Sequence, residues 1–212
     1  MGTAQGRETP TGSEERNAAR LSARRTQILD AATSVFAGLG YHGSRMDDIV
    51  RASGLSKGAI YWYFKSKEEI AVELVRQLLH GEEEALTSAE PAERDPGARL
   101  SAMADDFARS LRENPARAPL ALELLSLGQR IPAIKQHFTD YHATYVGVLS
   151  DLLRAASGGN APEREITAGA LALAAMVDGW ALHEALITSP PAHREGLGEA
   201  VAVLVNGLRR ER

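Results

Sequence analysis

Between positions 57 and 67 the chain gathers Lys57, Gly58, Ala59, Tyr61, Trp62, Tyr63 and Lys67, a set whose shared chemistry is contact with a nucleic acid. An ammonium at Lys57 can donate to guanine O6 and N7, a methyl at Ala59 can touch a thymine methyl, and Trp62 can pack on bases or sugars. Gly58 and Ala59 are small enough to let the backbone approach base edges. Tyr61, Tyr63 and Lys67 suit phosphate contacts, which fix register without reading sequence, and Ser44, Arg45 and Ser56 are expected in the same DNA-facing set. A helix beginning at Ser66 would add its own N-terminal amides as an anion site.

Two short helices have to position these groups. Ser44 with Asp47 three residues on forms a capping-box-like start, so a helix is expected near Arg45, with Met46, Ile49 and Val50 on one face. Gly54 ends it, suited to the left-handed conformation that turns the chain, and Ser56 caps the next helix. That helix, over 57–64, puts Ile60 and Phe64 four apart on a buried face and leaves the three neighbouring aromatics outward. Two helices joined by a short glycine-containing turn have the form of a helix-turn-helix, whose second helix enters the DNA major groove.

The stretch GYHGSRMDDIVRASGLSKGAIYWYFKSKEEI resembles the N-terminal DNA-binding domain of TetR/AcrR-type transcriptional regulators. The likeness is carried by Gly40, Tyr41, Ser44, Asp48, Ile49, Gly54, Leu55, Ser56, Lys57, Gly58, Ile60, Tyr61, Tyr63, Phe64, Lys67 and Glu68. It covers about residues 20–72; beyond them only an all-helical plan agrees. One departure is Arg45, where the family often has a hydroxyl, so the phosphate contact that the resemblance implies there would come from a longer, charged group. The competing reading of Tyr63 and Phe64 taken alone is ordinary core.

Composition is that of a globular chain, 44% apolar and 25% charged over 212 residues. Absence of cysteine removes disulfides, thiolate metal sites and cysteine nucleophiles, and fits a reducing cytoplasm. The first residues lack the apolar segment of a signal peptide. The stretch 168–187 is apolar but interrupted by Asp178, His183 and Glu184, so a membrane span is not expected. Net charge is −4, yet residues 16–80 hold ten Lys/Arg against six Asp/Glu, while residues 81–212 hold thirteen against nineteen. The positive charge sits on the motif, as DNA binding requires.

The expected fold is all-α: an N-terminal three-helix helix-turn-helix domain followed by a larger helical domain for ligand binding and dimerisation. Residues 1–17 read as a disordered tail, 18–65 as the DNA-binding domain, 66–90 as a connecting helix and 91–212 as the second domain. The first helix, over 18–39, should bury Leu21, Ile28, Leu29, Ala32, Val35, Phe36 and Leu39. Its arginines, Arg20, Arg24 and Arg25, either reach phosphates or form a solvated helix end. Later helices are expected over 98–112, 117–127, 132–156, 162–187 and 192–209, with prolines opening three of them and Gly158-Gly159 closing another.

Small residues recur at helical spacing at Ala168, Ala172, Ala175 and Gly179, and again at Gly196, Ala200, Val203 and Gly207. Glycine inside a helix costs about 1 kcal/mol relative to alanine, so close backbone approach is the reading, either within one subunit or across a two-fold axis. The resemblance implies the latter, a homodimer through the last two long helices. Met103, Phe107, Leu120, Leu124, His137, Tyr141, Met176, Trp180 and His183 mix apolar bulk with polar tips, as small-molecule sites do and as ordinary cores also do. The resemblance implies a small, often lipophilic effector there that lowers DNA affinity, with repression as the expected regulation. A DNA-binding protein without an effector is the alternative. An enzyme is disfavoured: His137 and His142 fall on different helix faces, Asp105 and Asp106 diverge, and an orienting bond from Asp178 to His183 would lack a nucleophile. No cofactor, metal site or catalytic residue is expected.

Overall fold

A computed structural model of the chain describes residues 12–88, 95–187 and 196–209. Their regular elements are all helices: α1 (Gly12–Gly43), α2 (Met46–Ser53), α3 (Lys57–Tyr63), α4 (Lys67–Ser88), α5 (Pro96–Glu113), α6 (Arg117–Leu127), α7 (Pro132–Ala156), α8 (Glu163–Leu186) and α9 (Leu197–Leu208). The all-α expectation therefore holds. The chain divides into two compact units, the break falling inside α4 after Ile70. Ile70, the last residue of the first unit, is wholly buried.

In the first unit, α1 begins at Gly12, six residues before the expected start, each residue added to the formed helix gaining one backbone hydrogen bond. Residues 1–11 of the expected tail lie outside the described residues. Ile28, Leu29, Ala32, Val35 and Phe36 are buried, but Leu21 and Leu39 are exposed. The reason at Leu39 is the break at Gly40 (φ 69°, ψ 160°). Beyond it Tyr41 takes the inner place and packs edge-on to Phe36, ring centres 5.4 Å apart.

In the second unit, α5 packs against α9 and α7 against α8. Their core comprises Leu100, Ala104 and Ala108 of α5, Leu149 and Leu153 of α7, Ile166, Ala170 and Leu173 of α8, and Leu197, Val201 and Val205 of α9. Asp95 caps α5 by accepting from the Ala98 amide at 3.1 Å, and Pro96 occupies the first turn. After α7 the amides of Gly158 and Gly159 turn back to the carbonyls of Ala155 and Arg154. Arg117 pairs with Glu82 and donates to Ser110 Oγ at 2.8 Å.

By length and composition α8 could cross a membrane. One face of it is nonetheless buried, with Ile166, Gly169, Ala170, Leu173 and Ala174 turned inward. At the start of α9 the Gly198 amide donates to Asp105 Oδ1 at 3.0 Å. A Cβ at Gly198 would run into that carboxylate, so the close approach here requires glycine.

Candidate nucleic-acid interface

The helix α3 is assembled as its local signals dictate. Gly54 sits at φ 67° and ψ 11° and closes α2 in the left-handed conformation. Ser56 Oγ then accepts from the Ala59 amide at 3.2 Å, starting α3. Ile60 and Phe64 are buried, at 0% and 2% exposure. Lys57 and Gly58 are exposed, Ala59, Tyr61 and Tyr63 half-buried, and Trp62 is 64% exposed. The Trp62 and Tyr63 rings meet edge-on at 4.7 Å, which holds the indole outward on the same short helix.

Two residues expected at the DNA, Ser44 and Lys67, have other work. Ser44 is 3% exposed, and its hydroxyl donates to the Tyr41 carbonyl at 2.8 Å. It neither caps α2 nor faces outward. The cap falls one residue later, where the Arg45 amide donates to Asp48 Oδ2 at 2.8 Å. Lys67 likewise turns inward, its ammonium donating to the carbonyls of Ser44 (2.7 Å) and Tyr41 and lying 4.2 Å from the Tyr41 ring centre. Burial pushes its pKa down. Arg45 itself is exposed, as its expected contact requires.

Sequence reasoning missed the residues that hold the turn. Gln27 Nε2 donates to the Ser53 carbonyl at 2.8 Å, and Arg24 donates to Gln27 Oε1 at 2.8 Å, so α1 grips the turn through an arginine–glutamine relay. Arg25 lies 4.9 Å from the centre of the Phe64 ring. The i, i+3 spacing of Arg24 and Gln27 was the available signal. Also missed was Asp47, which accepts from Lys57 Nζ at 2.8 Å.

Of the residues expected at an effector site, Phe107, Met176 and Trp180 pack partly buried against the core of the second unit, and Leu124 is enclosed at 1% exposure. Met103, Leu120, His137 and Tyr141 are half-buried. Tyr141 stacks on Tyr145, rings 13° from parallel and 5.8 Å apart, and burial pushes the Tyr141 phenol up to about 12. The Trp180 Nε1–H is buried with no acceptor among the described residues. His183 is exposed and stands apart from that set, because spacing from Trp180 fixes direction around α8 but not depth. Desolvation raises the Asp178 carboxyl, with His142 acting against it. Among the described residues no three His, Asp or Glu side chains gather to hold a metal ion.

The small-residue positions divide. Ala168, Ala172 and Ala175 on α8 and Ala200, Val203 and Gly207 on α9 are exposed, Val203 at 74%. At Gly179 and Gly207 an added Cβ would meet nothing within 4 Å. Gly196 has a different reason, a φ of 109° just before α9, and does not belong to a packing stripe.

Comparison with known proteins extends the geometry. The profile described as "Bacterial regulatory proteins, tetR family" matches residues 28–74, and that of "BetI-type transcriptional repressor, C-terminal" matches residues 96–210. The chain belongs to the TetR family of transcriptional regulators. RutR of Escherichia coli strain K12 is 37% identical over 75 residues, 35% of this chain and 34% of RutR. The chain thus spans about a third of RutR's length. BetI of Rhizobium meliloti is 29% identical over 167 residues, covering 79% of this chain and 80% of BetI. Among solved structures, Salmonella enterica GusR superposes with a TM-score of 0.70 at 22% identity, covering 88% of this chain and 95% of that one. FadR of Bacillus subtilis, in complex with stearoyl-CoA, superposes with a TM-score of 0.66 at 20% identity over 87% and 97%. These two likenesses are of fold.

Proposed function

We propose that this TetR-type regulator is a cytoplasmic repressor that binds a pseudo-palindromic operator as a homodimer and is released by a small, mostly lipophilic effector. The observation that carries the reading is the outward face of α3, where Lys57, Gly58 and Trp62 are exposed on a helix anchored from behind by Ile60 and Phe64. Lys57 and Ala59 read bases. Trp62 packs on bases or sugars, and Arg45, Tyr61 and Tyr63 hold phosphates.

The exposed small and apolar face of α8 and α9, with Leu171 and Leu182 beside it, supports a four-helix contact with a second copy. Two reading helices about 34–36 Å apart would then match half-sites one turn apart. The half-buried Tyr141, Met176 and Trp180, together with an indole N–H that has no acceptor among the described residues, support a ligand site in the second unit. The acyl-CoA bound by FadR supports a lipophilic occupant. An effector weakens DNA binding only by favouring a conformation in which the reading helices are wrongly spaced, commonly with about 1 to 3 kcal/mol of coupling. Transmission is assigned to α4.

Selection of bound duplexes from a random pool, followed by a screen for compounds that release the selected DNA, tests this reading. The expected result is a two-fold-symmetric motif bound in a salt-sensitive manner by a dimer. Binding without sequence preference, or by a monomer, would sink it. A motif that no compound releases would point to a constitutive DNA-binding protein.

A further inference from the structure

We propose that Asp47 and Lys57 read one guanine–cytosine pair as a single unit, the carboxylate accepting from cytosine N4 while the ammonium donates to guanine O6 or N7. The inference rests on the DNA-reading role assigned to α3 above and adds a residue of α2 to it.

Asp47 is the second residue of α2 and Lys57 the first of α3, and their side chains meet at 2.8 Å while remaining 63% and 62% exposed. Asp47 also stands in the acidic first turn of α2, where Arg51 and Arg45 act on its carboxylate, but its hydrogen-bond partner is Lys57. Capping of α2 is done by Asp48, which also pairs with Arg51 at 3.3 Å. An ion pair this open contributes little to stability. On a surface that approaches phosphates a carboxylate is repelled unless a base edge offers it a donor.

The pair bridges the two helices at the N-terminal end of α3, the end that contacts bases in this motif. It displays a donor and an acceptor side by side. Asp47 Oδ1 takes one ammonium hydrogen, leaving the second carboxylate oxygen as an acceptor and two N–H groups as donors. Guanine–cytosine presents two adjacent acceptors, N7 and O6, followed by the N4 amino donor. Adenine–thymine also sets a donor beside an acceptor, but its O4 lies next to the thymine methyl and offers the ammonium only one oxygen on that base. The Tyr61 ring centre, 5.9 Å from Lys57 Nζ, backs the ammonium from the third side. Mutual pairing holds the Asp47 carboxyl below its ordinary range and Lys57 above its own, so both stay charged at neutral pH.

The test uses the full-length protein in random-pool selection at fixed salt, comparing wild type, Asp47→Ala, Lys57→Ala and the double variant. Wild type should select a guanine–cytosine pair at one position of its motif. Asp47→Ala should lose on the order of tenfold in discrimination at that position while binding unrelated duplexes as well or better. Lys57→Ala should lose the same position, and the double variant little more. The proposal is overturned if Asp47→Ala changes all affinities by one factor, if the two single variants affect different positions, or if the position lost is adenine–thymine. A wild-type protein that selects no motif would bring down the DNA-reading role itself; a motif unchanged by Asp47→Ala would remove this inference alone.

Discussion

The ammonium of Lys67 lies over the ring of Tyr41, 4.2 Å from its centre, and donates to that residue's own carbonyl oxygen. A lysine at the start of α4 thereby closes the segment that leads into α2, with a second bond to the Ser44 carbonyl at 2.7 Å. Its cation is spent inside the unit.

Lys67→Met should therefore act on folding. It removes two charge-assisted bonds from part-buried carbonyls, and a loss of about 2 kcal/mol is expected in urea unfolding. The salt dependence of DNA binding should keep its slope. A slope reduced by about one at unchanged stability would instead make Lys67 a phosphate contact.

Gly198→Ala should destabilise the second unit by about 1 to 3 kcal/mol, because the new Cβ must displace the Asp105 carboxylate that holds the Gly198 amide. Differential scanning calorimetry reads the effect as a lower Tm. An unchanged Tm would mean that Asp105 moves away freely and that its bond contributes nothing.

Asp95 gives a pH dependence of definite sign. The ion pair with Arg209, at 2.6 and 2.7 Å, and the Ala98 amide hold its carboxyl below the ordinary value of 3.8. The folded state therefore binds fewer protons than the unfolded state. The contribution is present above the ordinary value and is lost as pH falls through the depressed one. Wild type should exceed Asp95→Asn in stability at pH 6, and the gap should narrow as urea unfolding is repeated toward pH 3. A gap that widened in acid would refute the pairing.

Ala172→Glu on α8 and Val203→Glu on α9 place charge on exposed positions and should leave each protomer folded. If those faces join two copies, sedimentation should show monomers, with DNA affinity falling by well over tenfold as one reader is lost. Dimers that persist in both variants would move the interface elsewhere.

How much could be read beforehand follows the range of each interaction. The bounds of α6 and α7 agree with expectation because Pro132 and Gly158-Gly159 act on their immediate neighbours. Gly54 and Ser56 gave the turn and the cap for the same reason. Lys67 turns inward to a carbonyl 23 residues away, and Ser44 bonds back to Tyr41 only because the Gly40 break sets the course of the backbone there, which no periodicity shows. The Asp105–Gly198 bond spans 93 residues and leaves no periodic trace. Glycines at 196, 198 and 207 look alike in a helical pattern, yet one answers to φ, one to a neighbour's carboxylate, and one faces open space. At the effector set, spacing gave direction around α8 without depth, which is why Trp180 and His183 part company.

The hydrogen bonds from Gln27 to Ser53 and from Lys67 to Tyr41 each close a span of 26 residues. Both lie within the first unit, and N-terminal units generally fold first during synthesis, at roughly 5 to 20 residues per second. The whole first unit is therefore synthesised while α8 and α9 have yet to be translated. On the reading proposed above, a nascent chain would carry its DNA-facing helix for seconds before the helices that enlist a second copy, so early arrest of translation would yield fragments able to touch duplexes weakly but unable to pair.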